Sequence, residues 1–122
     1  MPRILISEDD AKSRRVLQEA LESFGYSVVT TRDGAEALKE AEDGPFDLVL
    51  TDWVMPRMDG LELCRALKSG LETRELPVAL LTTRQTQEDK DTAYATGVDA
   101  LLTKPFKREA LRKQIARLIP DC

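Results

Sequence analysis

The chain contains no histidine and only two cysteines among its 122 residues. The missing histidine removes Ser-His-Asp triads, zinc-histidine sites and any phosphotransfer carried on an imidazole of this chain. Cys64 and Cys122 lie far apart and outside any C-x-x-C arrangement, so no disulfide framework is expected. They read as one helix residue and one free terminal thiol, which fits a reducing cytoplasm. No apolar run approaches the ~20 residues that cross a bilayer, and the opening MPRILISEDD turns acidic too soon for a secretion signal. No membrane association is therefore expected. G-x-x-x-x-G-K-[ST] is missing too, which excludes a P-loop nucleotide hydrolase. A formal charge of −4 argues against direct nucleic-acid binding by a wrapping surface.

What is present describes one globular domain over residues 1–122, 42 % hydrophobic and 33 % charged. Short apolar runs alternate with helix-period segments, without internal repeats. Strands are expected at 4–6, 26–30, 47–51, 78–82 and 100–103. Between and after them, helices are expected at 11–24, from Asp33 to Gly44, at 61–68, 85–96 and 107–119. Val16, Leu17, Ala20, Leu21 and Phe24 recur at helical spacing, and Gly25 ends their pattern. Asp33 followed by Glu36 resembles a capping box. Five strands alternating with five helices predict an α/β fold: a doubly wound parallel sheet between two helical layers. All the strands read as continuous apolar runs, as expected of strands buried on both faces.

In such a sheet ligands sit beyond the carboxyl ends of the strands. The first strand ends in Glu8, Asp9 and Asp10, the third at Asp52, the fourth at Thr82 and Thr83, the fifth at Lys104-Pro105. Crowded carboxylates repel one another unless a cation offsets them. An all-oxygen set without His or Cys suits a hard ion, Mg²⁺ first and Mn²⁺ second. Each signal alone also fits a turn, a helix cap or a surface lysine. Their joint placement at three or four strand ends points to a site.

The stretches ILISEDD, DLVLTDWVMPRMDG, LPVALLTT and GVDALLTKPF, in this order, resemble the receiver domain of two-component response regulators, in the style of the single-domain chemotaxis regulator. The resemblance implies the flavodoxin-like strand order 2-1-3-4-5 and assigns roles. Asp52 would be the phosphoacceptor. Asp9, Asp52 and the Val54 backbone carbonyl would hold Mg²⁺, with Glu8 acting mainly through water. Thr82 and the amide of Thr83 would contact the phosphoryl group, and Lys104 would pair with it. Lys104-Pro105 would be a cis peptide. Partners would be a sensor histidine kinase or phosphotransfer protein. A downstream effector or a second copy would bind the face of the fourth helix, fifth strand and fifth helix.

Three positions depart from the family pattern. The switch position three before Lys104, usually aromatic, is Leu101. Thr83 stands where Ala or Gly is usual. Val54 cannot orient a water by hydrogen bonding, and Arg84 is a weak substitute, so slow autodephosphorylation is expected. The basic residues Lys104, Lys107, Arg108, Arg112, Lys113 and Arg117 read as a solvated face rather than a DNA contact. The family reading is a signalling module that catalyses only its own phosphorylation and dephosphorylation. Alternatives are a phosphorylation-independent interaction module, opposed by the intact Glu8, Asp9, Asp52, Thr82 and Lys104, and an aspartyl-phosphate phosphatase, opposed by Val54 where a second aspartate is usual. The chain would be a stand-alone regulator or one receiver of a larger DNA-binding regulator, cyclase or hybrid kinase.

Overall fold

A computed structural model describes residues 1–84 and 86–119; Gln85 and residues 120–122, Cys122 included, lie outside the described residues. The elements are β1 (Arg3–Ser7), α1 (Ala11–Ser23), β2 (Ser27–Thr31), α2 (Gly34–Asp43), β3 (Leu48–Asp52), α3 (Gly60–Ser69), β4 (Val78–Thr82), α4 (Gln87–Thr96), β5 (Ala100–Thr103) and α5 (Arg108–Leu118). The sheet is parallel throughout, in the order β2-β1-β3-β4-β5. Both the expected class and the implied strand order hold.

Alternation along the strands divides the core into two. Ile4, Ile6, Leu48, Leu50, Ala79 and Leu81 face α1 and α5, where they meet Leu17, Leu21, Leu111 and Ile115. Leu5, Val49, Val78 and Leu80 face the other layer, against Ala37 of α2, Leu63, Cys64 and Leu67 of α3, and Ala93 of α4. Burying each large aliphatic side chain contributes about 1.5–3 kcal/mol. Only the three central strands match the expectation of two-sided burial. Edge strand β2 (SVVTT) is half-buried for four of its five residues, and β5 exposes Thr103, because an edge strand has a neighbour on one side only.

Side-chain caps open four helices. Asp10, Asp33, Asp59 and Thr86 accept from the backbone N–H of Ser13, Glu36, Glu62 and Asp89, each cap being worth about 1 kcal/mol. The box expected at Asp33 forms only halfway, since Glu36 reaches back to the N–H of Arg32 instead. The complete box is at Asp59 and Glu62. Gly25 (φ 99°) and Gly97 (φ 112°) end α1 and α4 in the left-handed region that glycine enters freely. Val16, which shares the apolar period of α1, is 50 % exposed. It stands at the rim of a cleft of about 340 Å³, shared with Lys12, Lys104 and Phe106.

Candidate functional site at the carboxyl edge of the sheet

Strand register decides what meets here. Ser7 pairs with Thr51, Asp52 with Leu81, and Thr82 with Thr103. The residues that follow β1, β4 and β5 therefore leave the sheet at the level of Asp52, and one carboxylate oxygen from each of Glu8, Asp9 and Asp52 lies within 4.8 Å of the others.

Lys104, 96 residues from Glu8 in sequence, places its Nζ 2.7 Å from Glu8 Oε1 and 3.2 Å from Asp52 Oδ2. Burial opposes its charge, but the Glu8 and Asp52 carboxylates outweigh that, and the ammonium pKa is raised. Glu8, only 2 % exposed, is paired with this ammonium. Asp9 is exposed, and partial desolvation together with the adjacent Glu8 raises its pKa. Three carboxylates share one ammonium, and this crowding is what a divalent cation would relieve.

Local bonds fix the geometry around Asp52. The N–H of Trp53 donates to Asp52 Oδ1 at 2.9 Å, which sets the rotamer and leaves Oδ2 toward Lys104. Trp53 is buried, and Arg84 lies over its ring with Cζ 4.9 Å from the centroid. The N–H of Arg84 also donates to Thr82 Oγ1 at 2.9 Å. Thr82 is buried at the end of β4, Thr83 is exposed beyond it, and the Lys104–Pro105 peptide is cis. Val54 is 61 % exposed, between buried Trp53 and Met55, whose Sδ accepts from Ser7 Oγ at 3.1 Å.

Gly60 turns the chain into α3 beside the site. Its N–H donates to the Trp53 carbonyl at 2.8 Å, and a Cβ there would run into the Asp52 carbonyl and Leu80. Sequence reasoning brought together Glu8, Asp9, Asp52, Thr82, Thr83, Val54 and Lys104, and all lie at this edge. Leu101 does not join them; it is half-buried against the core on the side of the sheet covered by α2, α3 and α4. Two arginines were missed. Arg14 Nη1 donates to the carbonyls of Glu8, at 2.9 Å, and Asp9, at 3.4 Å; its place one turn into α1 was the available signal. Arg57 has a left-handed backbone (φ 68°) and pairs with Asp33 at the start of α2, a contact without local sequence signal.

Comparison with known proteins agrees with this geometry. The family model for the response regulator receiver domain matches residues 4–116. The response regulator MprA of Mycobacterium sp. (strain KMS) is 39 % identical over 123 residues, covering 98 % of this chain and 53 % of that protein. The uncharacterized transcriptional regulatory protein YkoG of Bacillus subtilis is 43 % identical over 112 residues, 92 % of this chain and 48 % of the relative. The chain spans about half the length of these curated relatives. Among solved structures, the Vibrio cholerae chemotaxis protein CheY4 superposes with a TM-score of 0.92 at 34 % identity, over 97 % of this chain and 98 % of that one. The receiver domain of sensor histidine kinase PA1611 from Pseudomonas aeruginosa, with a magnesium ion coordinated in its active site cleft, gives 0.90 at 32 % identity, over 97 % of both chains. A family match over residues 4–116, on a sheet with the same strand order as implied by its motifs, shows that this chain belongs to the response regulator receiver domain family.

Proposed function

We propose that this receiver domain accepts a phosphoryl group on Asp52 from a phosphorylated histidine of a partner kinase or phosphotransfer protein, with Mg²⁺ as cofactor. The observation that carries this reading is the Lys104 ammonium held between Glu8 and Asp52, with Asp9 completing three carboxylates. Asp9, Asp52 and the Val54 carbonyl would hold the ion and Glu8 would act through water, an all-oxygen set that suits Mg²⁺. The bound ion supplies positive charge against the transferred group. Asp52 Oδ attacks phosphorus, the phosphorus–nitrogen bond to the donor imidazole breaks, and the imidazole keeps that electron pair. The product is an aspartyl phosphate. Lys104 then pairs with a phosphoryl oxygen, and Thr82 and the Thr83 N–H supply donors to the others.

Val54 carries no group that holds water, and the Arg84 guanidinium lies on Trp53; both favour slow autodephosphorylation. With leucine at position 101, the state of Thr82 reaches the face of α4, β5 and α5 without an aromatic rotamer change. That face would bind an effector or a second copy. Relatives about twice as long, one of them a transcriptional regulatory protein, favour a second reading in which this domain controls a DNA-binding output. Intact-mass measurement after acetyl phosphate with Mg²⁺ tests the chemistry. One phosphoryl group is expected on the wild type, and none after chelation or in Asp52→Asn. Labelling of Asp52→Asn at the wild-type rate would overturn the assignment, while size exclusion of the labelled protein reads its assembly.

A further inference from the structure

Among the described residues, Arg57 is the one non-glycine with a positive φ, a conformation that side chains resist and glycine adopts freely. Its guanidinium reaches the Asp33 carboxylate, 4 % exposed at the start of α2. Asp33 is itself held by the Glu36 N–H at 2.9 Å. Beside it the Gly34 N–H donates to the Met58 carbonyl at 3.2 Å, an approach so close that a Cβ on Gly34 would collide with that carbonyl. The loop from Trp53 to Asp59 is thus tied to Gly60 through the Trp53 carbonyl and to α2 through Met58 and Arg57. Val54 lies within that span.

We propose that Arg57 is a positioning residue for the cation site, its ion pair with Asp33 holding the loop that carries the Val54 carbonyl. This inference rests on the phosphoacceptor reading, since it presumes that the site takes Mg²⁺. An outer partner that orients a metal ligand typically changes affinity by on the order of tenfold or more when removed. The two groups act as one tether, so their losses should not multiply.

The test is a Mg²⁺ titration, followed by the fluorescence of Trp53 (the one tryptophan) and by calorimetry, with thermal midpoints measured alongside. The proteins are wild type, Arg57→Gly, Asp33→Asn and the double variant. Glycine accepts the left-handed backbone and asparagine can still cap α2, so each single variant keeps the local fold. Each is expected to bind Mg²⁺ about tenfold more weakly, and the double variant no more weakly than either. Arg57→Lys should recover part of the loss. A merely structural pair would move the thermal midpoint and leave Mg²⁺ affinity in place. Affinity of Arg57→Gly within about twofold of wild type, or losses that multiply in the double variant, would overturn the proposal alone. A wild type that does not respond to Mg²⁺ would overturn the phosphoacceptor reading, and this inference with it.

Discussion

The two edges of the sheet use the same residue types to opposite effect. At the amino edge Asp99 and Asp47 each have complements. Asp99 Oδ2 accepts from the Val78 N–H at 2.8 Å and from Lys68 Nζ at 2.9 Å, and Lys68 also donates to the Leu76 carbonyl. Asp47 accepts from the Arg3 N–H at 2.8 Å, while the Arg3 guanidinium bonds the Pro45 carbonyl and lies over Phe46. At the carboxyl edge three carboxylates share one lysine. A satisfied aspartate holds the fold together, whereas surplus like charge stores a demand for a cation. Location in the sheet, not residue type, separates structure from chemistry.

The largest expected effect breaks the carboxyl edge. Lys104→Met should slow phosphorylation from acetyl phosphate by on the order of a hundredfold, measured as the rate of aspartyl phosphate formation, because a preorganised cation is lost where charge develops. Lys68→Met, the matched change at the amino edge, should leave that rate alone. Next in size, Asp99→Ala should lower unfolding free energy by about 1–2 kcal/mol in chemical denaturation, because it leaves the Val78 N–H and Lys68 without their shared acceptor. Asp9→Asn should do the reverse. In Mg²⁺-free buffer it should raise stability by up to about 1 kcal/mol, by relieving repulsion with Glu8, while weakening Mg²⁺ binding in a calorimetric titration. Stabilisation on removing Asp99, or destabilisation on removing the Asp9 charge, would erase the contrast between the edges.

The smallest effect is a pH dependence. The Glu36 N–H and the Arg57 guanidinium hold the Asp33 carboxyl below its ordinary value of 3.8. The folded protein thus binds that proton less tightly than the unfolded chain. Its contribution is complete above the unfolded value and is lost as pH falls through the folded one. Denaturation midpoints should therefore fall more steeply below pH 3.8 in wild type than in Asp33→Asn.

Much of the site was legible in the sequence because chemistry at strand ends leaves a local mark. Runs such as ILIS or VALLT need neighbours on both sides, and the polar residues that follow them lie at the sheet edge. Asp52, expected just after the third strand, is the last residue of β3 and still lies at the sheet edge. Val16 misled because helical period marks a face without saying how far the neighbouring layer extends; here it ends in a cleft. Glu36 misled because a glutamate at that position has two backbone donors within reach, and it took the N–H of Arg32.

From the order of its residues alone, this chain determined the strand–helix alternation, the glycine stops at 25 and 97, and which side chains carry reactive oxygen or an ammonium. Those features depend on periodicity and backbone conformation, which act over a few residues. Only the tertiary structure decided that Lys104 reaches Glu8 across 96 positions, that Arg84 covers Trp53, and that Arg57 ties one loop to a helix opened by Asp33. Such contacts are set by strand register and layer packing, and charges separated so far along the chain interact only after burial has fixed where the strands end.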